Sequence, residues 1–211
     1  MTTLSDFVLE IPVAFSREKC IKTIDSFEEA PDEYKRRGAT VGSQGVASND
    51  PDRNVIEIPW EVSFNNEFDA VKMDILKCFE SGVDAYKDHV KNLNQHYSGI
   101  IEKTIRNSAS LSTPLIVRYC AGEEYKWHAD RHYWNGSCVE RRLTVILYLN
   151  DMAPDEGGLT EFIDGKQIKP EAGKLLIFPS DAFFIHRGKI ITKNSKYIVV
   201  SWLTASPIEN I

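Results

Sequence analysis

The chain has 211 residues, enough for one sizeable core, and its 42% hydrophobic and 27% charged content is that of an ordinary globular protein. A net charge of -6 with no basic stripe gives nucleic-acid binding little support, and no apolar run approaches membrane-spanning length. Four cysteines (Cys20, Cys78, Cys120 and Cys138) form no CxxC pair and read as reduced thiols, not as a disulfide framework.

The start of the chain, MTTLSDFVLEIPVAF, lacks the basic head and apolar core of a signal peptide, so a cytoplasmic protein is expected, with residues 1–211 as one domain. Ser16 is placed to cap a short helix running through Phe27, with Cys20, Ile21, Ile24 and Phe27 on one face. Lys35-Arg36-Arg37 reads as a solvated loop. Residues 38–54 are rich in glycine and turn formers and read as a long loop, of the kind that serves as a lid or stays disordered. Val55-Ile56-Glu57-Ile58 looks like a short strand. From Phe68 to Ile100 apolar residues recur every three or four positions, which predicts one long helix, or two meeting near Ser81-Gly82. His89 and His96 fall in this stretch without a carboxylate at matching spacing, so they read as packed or surface histidines. From about residue 113 the pattern turns to β: Leu115–Val117, Leu143–Leu149, Lys174–Phe178 and Tyr197–Leu203 are short branched or aromatic runs separated by turns. Gly157-Gly158, Asp164-Gly165, Asp181–Phe184 and Asn135-Gly136-Ser137 read as turns. Short strands after a helical half suggest a sandwich or jelly roll backed by helices.

His128-Ala129-Asp130 is the centre of the chemical case. On a strand, residues two apart point to the same face, so the imidazole and the carboxylate can meet at one ion. His186, from a distant strand, completes two histidines and one carboxylate, the open set used by non-haem Fe(II) oxygenases. HxD alone is a weak signal. Lys196, ten residues after His186, strengthens it, because a keto acid bound to iron would bury a second carboxylate that needs a cation. Tyr119 and Tyr148 can add hydroxyls.

These residues lie in a run of motifs. The segment Arg118-Tyr-Cys-Ala-Gly-Glu-Glu-Tyr-Lys-Trp-His-Ala-Asp130 resembles the YxxGxxYxxHxD signature of prolyl 4-hydroxylase-like 2-oxoglutarate/Fe(II) dioxygenases. Arg141–Asn150 is similar to their RxxTxxxYLN strand, Glu156–Phe162 to their GGxTxF turn, and Lys169–Phe178 to their PxxG strand, with His186, Lys196 and Trp202 following in order. The resemblance covers about residues 115–204 and leaves the first half unmatched.

The resemblance implies an α+β, mainly β, double-stranded β-helix (jelly-roll) core over residues 113–205, with residues 1–112 as helical support and lid. It implies Fe(II) held by His128, Asp130 and His186, and 2-oxoglutarate held by Lys196 and Tyr119 with help from Tyr148 or Thr144. Arg141 and Trp202 are the candidate substrate residues, although the adjacent Arg142 could face inward instead. Ascorbate is a candidate reductant. The expected reaction is hydroxylation of an unactivated C–H bond, with a prolyl residue of a protein or peptide as first choice and a free amino acid or small molecule as the alternative. No nucleic-acid or membrane partner is expected, and the oligomeric state stays open. His132, Tyr133 and Trp134 read as rim residues, and Arg187 and Lys189 as solvent-exposed. A zinc jelly-roll hydrolase with the same three ligands, or a non-catalytic module, would leave Lys196 and the tyrosines unexplained.

Overall fold

The computed structural model describes residues 2–41, 47–49, 52–93, 108–130 and 140–205. The expectations placed on His96, Asn135–Ser137, Cys138, His132, Tyr133 and Trp134 lie outside these residues.

After a 3-10 turn over Leu4–Phe7, strand β1 (Leu9–Ile11) leads into helix α1 (Arg17–Glu29). The Ser16 hydroxyl accepts from the Lys19 N–H and caps it as the sequence predicts. The buried face is not quite the expected one. Cys20 and Phe27 are buried and Ile24 packs against the core, but Ile21 is 58% exposed. Thr23 takes the inward position instead, its hydroxyl satisfied by the Lys19 carbonyl at 2.7 Å.

Lys35-Arg36-Arg37 is not wholly loop, because Arg36–Arg37 form a two-residue edge strand, β2, exposed as expected. The 38–54 stretch is also partly ordered. Strands β3 (Ala39–Val41) and β4 (Ala47–Asn49) pair as a hairpin, and β5 (Ile56–Pro59) follows. Helix α2 (Asn66–Leu93) is a single helix, so the two-helix alternative at Ser81-Gly82 does not hold. Gly82 is needed for close packing and not for a break: a Cβ there would lie 2.2 Å from Leu175 Cδ2, so the helix rides directly on the sheet. The α2 stripe from Phe68 to Val90 is buried. His89 is a packed histidine, its Nε2–H bonded to the Asp6 carbonyl at 2.7 Å.

The remaining strands are β6 (Ser108–Leu111), β7 (Leu115–Tyr119), β8 (Tyr125–His128), β9 (Glu140–Tyr148), β10 (Thr160–Phe162), β11 (Gln167–Ile168), β12 (Leu175–Pro179), β13 (His186–Gly188) and β14 (Lys196–Ala205). They form two antiparallel sheets. The major sheet runs β1-β12-β9-β14-β7-β5-β2, with β6 also on β14; the minor sheet runs β11-β10-β13-β8. The fold is the mainly β jelly roll that was expected. The first half of the chain does more than support it, because β1, β5 and β2 extend the major sheet. Leu143, Val145 and Leu147 of β9 point to the helices, while Ile146 and Tyr148 point to the second core between the sheets. The helices therefore seal one face of the major sheet, and the other face is left for a cavity.

Candidate active site

The two sheets enclose a cavity of about 290 Å³. His128 closes β8 and His186 opens β13, and the two are direct antiparallel partners. Register alone therefore brings these histidines together, with ring centres 4.2 Å apart. Asp130, two residues beyond His128, completes a cluster whose ligand atoms lie within 4.8 Å of one another. Its carboxylate oxygens lie 3.5 Å from His128 Nε2 and 3.8 Å from His186 Nε2.

The tautomers follow from the partners. His128 Nδ1 meets the Lys126 carbonyl at 2.7 Å and His186 Nδ1 meets the Phe184 carbonyl at 3.0 Å. A carbonyl only accepts, so each Nδ1 carries the proton and each Nε2 presents a lone pair. Packing fixes both rings. Tyr125 stacks on His128 at 3.5 Å, and the Phe178 edge meets His186 at 4.8 Å. Burial pulls the His186 pKa down to about 4, which keeps it neutral at physiological pH. Burial by itself would raise the Asp130 carboxyl. His128 and His186, once protonated at low pH, and the Thr144 hydroxyl outweigh it and hold Asp130 well below the usual carboxylate range, so it is ionised wherever the imidazoles are neutral. Two neutral imidazole nitrogens and one carboxylate, with the rest of the sphere facing a cavity, fit an Fe(II) ion.

Lys196 opens β14 opposite Tyr119 in register. It is 2% exposed, its ammonium lies 4.8 Å from the Tyr119 ring centre, and it donates to the Gly158 carbonyl at 2.9 Å. No carboxylate lies within ion-pairing distance of it among the described residues, and burial pulls its pKa down to about 8. A buried ammonium without a counter-ion, lining the same cavity as the triad, fits a carboxylate ligand. The Gly157-Gly158 turn that supplies the carbonyl has φ near +77 and +72, a region that favours glycine at both positions.

The other expected residues are placed as follows. Tyr119 lines the cavity at 5% exposure, and burial raises its pKa. Tyr148 also lines it, sharing a 2.7 Å hydrogen bond with Thr160. Thr144 donates to Asp130 at 2.7 Å and bonds Ser180 at 2.8 Å, so it holds the carboxylate of the triad and does not join the cavity wall. Arg141, not Arg142, lines the cavity. Strict alternation from Thr144 and Ile146 would have turned Arg142 inward, but β9 pairs Leu143 with Leu203 and Arg141 with Thr204. The register skips Arg142, which forms a bulge, and a bulge shifts the face by one residue. Arg141 then lies 3.6 Å over the Trp202 ring, which also lines the cavity. Arg187 is bound to Glu161 at 2.5 Å, on neither the cavity wall nor the triad, and Lys189 is half-buried.

Sequence reasoning missed Arg53 and Tyr125, both on the cavity wall. Arg53 is 7% exposed and ion-paired at 2.8 Å with the buried Glu57. The signal was Glu57, a charge inside an otherwise apolar strand, four residues after an arginine.

Residues 114–204 match the model of the 2OG-Fe(II) oxygenase superfamily. The PKHD-type hydroxylase YbiX of Escherichia coli (strain 536) is 27% identical over 129 residues, 56% of this chain and 54% of that protein. A PKHD-type hydroxylase of Prochlorococcus marinus (strain MIT 9313) is 29% identical over 92 residues, 42% of this chain and 40% of that one. The chain thus spans about half or less of the length of these curated relatives. Among solved structures, a viral collagen prolyl hydroxylase of Paramecium Bursaria Chlorella virus-1, in its 2OG complex, has a TM-score of 0.64 at 17% identity, covering 94% of this chain and 96% of that one. A prolyl hydroxylase of Trichoplax adhaerens, in complex with a peptide fragment, has a TM-score of 0.65 at 17% identity, covering 94% and 83%. These likenesses show the fold.

Proposed function

We propose that this chain, whose residues 114–204 match the 2OG-Fe(II) oxygenase superfamily, is an Fe(II)- and 2-oxoglutarate-dependent dioxygenase that hydroxylates an unactivated C–H bond. The observation that carries the reading is the sharing of one cavity by the His128–Asp130–His186 cluster and the buried Lys196, which has no carboxylate partner among the described residues.

Bound iron and 2-oxoglutarate would let dioxygen act as the oxidant, one oxygen atom going to the keto acid as it loses carbon dioxide to give succinate and the other to the C–H bond. The protein does the rest. His128 and His186 offer Nε2 lone pairs because their Nδ1 protons are held on carbonyls. Asp130 stays ionised, and Thr144, itself held by Ser180, orients its carboxylate. Lys196 supplies the cation for the distal carboxylate of the co-substrate, with the Tyr119 and Tyr148 hydroxyls as its polar neighbours. Leu115, Ile146, Ile198 and Val200 make the apolar walls that exclude water. Arg141 and Trp202 face the substrate. Ascorbate is the candidate reductant.

We take a prolyl residue of a protein or peptide as the first substrate to test, since the names of the similar proteins include PKHD-type and prolyl hydroxylases. A free amino acid or small molecule is the alternative. The same reading takes residues 1–211 as one oxygenase domain, with 113–205 as its catalytic core and strands β3 and β4 as part of a lid. Among the described residues no helix is long and apolar enough to cross a membrane, and Cys20, Cys78 and Cys120 are free thiols, which accords with a cytoplasmic location. The test is incubation with proline-rich peptides and with free amino acids, Fe(II) and 2-oxoglutarate, reading succinate release and substrate mass. A peptide gaining one oxygen supports prolyl hydroxylation. A free amino acid gaining it, with no peptide doing so, removes the peptide reading.

A further inference from the structure

The cavity carries more positive charge than the proposed reaction uses, and the argument from this rests on that reading. Among the described side chains lining it, three are cationic (Arg53, Arg141 and Lys196) and only Asp130 is anionic. The two charges of a ferrous ion and the one on Lys196 are balanced by Asp130 and the two carboxylates of 2-oxoglutarate. Arg53 is matched by Glu57 at 2.8 Å. The second cation on Glu57, Arg36, has a side chain 56% exposed and is screened by solvent.

Arg141 is what remains. Among the described residues no carboxylate side chain lies within ion-pairing distance of it, and its one hydrogen bond there is a long 3.4 Å contact to the Asp130 carbonyl. A guanidinium has five N–H donors, so most of its capacity is unused. Its guanidinium carbon lies 3.6 Å from the Trp202 ring centre, a contact that holds it in place without neutralising it. Burial disfavours its charge and outweighs the nearby Asp130 carboxylate, which favours it, while Arg53 adds a smaller penalty. A half-buried arginine facing a ligand cavity, with its nearest anion already committed to the triad, is costly unless the ligand brings one.

We propose that the substrate brings it: a carboxylate gripped by Arg141 beside the carbon that is hydroxylated. The preferred substrate is therefore an anionic one. The carboxylate belongs either to a free amino acid or peptide C-terminus, or to an acidic side chain next to the target residue.

The test uses the 211-residue protein loaded with Mn(II), which supports binding without turnover, reads binding by calorimetry, and keeps 2-oxoglutarate saturating after it has itself been titrated. The first titration is 2-oxoglutarate itself. The second uses matched pairs: L-proline against L-prolinamide, a prolyl peptide with a free against an amidated C-terminus, and an internal prolyl peptide with Glu against Gln beside the proline. A charge-assisted contact of this kind predicts that the carboxylate member of at least one pair binds about tenfold tighter or more. The pair that shows it identifies the source of the carboxylate. In Arg141→Gln the preference falls to about onefold, while 2-oxoglutarate binds within about twofold of wild type, which also reports that the variant is folded. Equal binding within every pair, no binding by any carboxylate member, or a preference that persists in Arg141→Gln overturns the inference. The wild-type comparison stands even if the variant does not fold. Failure of 2-oxoglutarate to bind wild type overturns the functional reading itself, and this inference with it.

Discussion

Replacing Lys196 by methionine separates a binding role from a structural one, because the two predict opposite signs. The Lys196 ammonium is 2% exposed, with the Gly158 carbonyl and the Tyr119 ring as its neighbours. Burial pulls its pKa from 10.5 to about 8, which corresponds to about 3 kcal/mol of destabilisation of the ligand-free fold at neutral pH. Methionine fills similar space without the charge but leaves the Gly158 carbonyl without its donor, a loss of about 1 kcal/mol. The net expectation is a ligand-free protein more stable by about 2 kcal/mol, seen as a Tm higher by roughly 4–8 °C for a chain of this size. The sign check for wild type is direct. Between about pH 8 and 10.5 the unfolded chain holds a proton at this lysine that the folded chain has released, so stability rises with pH across that window; in Lys196→Met that rise is absent. The variant should also lose the stabilisation that 2-oxoglutarate gives wild type, since removing one partner of a buried ion pair costs about 3–5 kcal/mol, or more than about a hundredfold in Kd. Differential scanning fluorimetry from pH 6 to pH 10, with metal and with and without 2-oxoglutarate, reads both effects. A variant that is less stable without ligand, yet gains as much from 2-oxoglutarate as wild type, would refute the assignment.

Three further outcomes are expected. Thr144→Val removes the hydroxyl that orients Asp130 and should weaken Fe(II) binding about 10- to 100-fold by metal titration, with 2-oxoglutarate contacts unchanged. His186 has a folded pKa of about 4 against 6.5 unfolded, so as pH falls through that window the unfolded chain is protonated first and ligand-free stability declines. Denaturant titrations should show this extra acid slope in wild type and not in His186→Phe. Gly82→Ala would gain helix propensity but drive a methyl against Leu175, so net destabilisation of about 1–2 kcal/mol is expected by urea unfolding, and a more stable variant would contradict the packing described.

Much of this was readable in the residues. Period-3.6 spacing identified α2 and its buried face, and Ser16 marked the start of α1, because each depends on neighbours in sequence. The long strands β9, β12 and β14 were visible as branched and aromatic runs. The two-residue β2 and β11 were not, since such strands are defined by their partners and carry no periodicity of their own. Ile21 was misassigned because α1 turns Thr23 inward, where a local hydrogen bond makes a polar side chain acceptable. The triad, Lys196, Tyr119 and Tyr148 came from spacing and motif and converge on one cavity. Thr144 moved from the cavity wall to the Asp130 carboxylate, a distinction of one hydrogen bond that sequence does not carry. The choice between Arg141 and Arg142 depended on a bulge created by pairing with β14, a tertiary fact. Arg53 was hidden in a stretch that read as a loop, with Glu57 four residues later as its one sequence signal, and its burial against Glu57 and Tyr125 places it at the cavity.

The most direct test of the central claim is an anaerobic titration of the metal-free protein with Fe(II) and then 2-oxoglutarate, followed by absorption in the visible. A weak metal-to-ligand charge-transfer band should appear only when both are present. It should be lost in His128→Ala, Asp130→Ala and His186→Ala. Absence of the band in wild type, or its persistence in all three variants, would contradict an iron and 2-oxoglutarate site built on these residues.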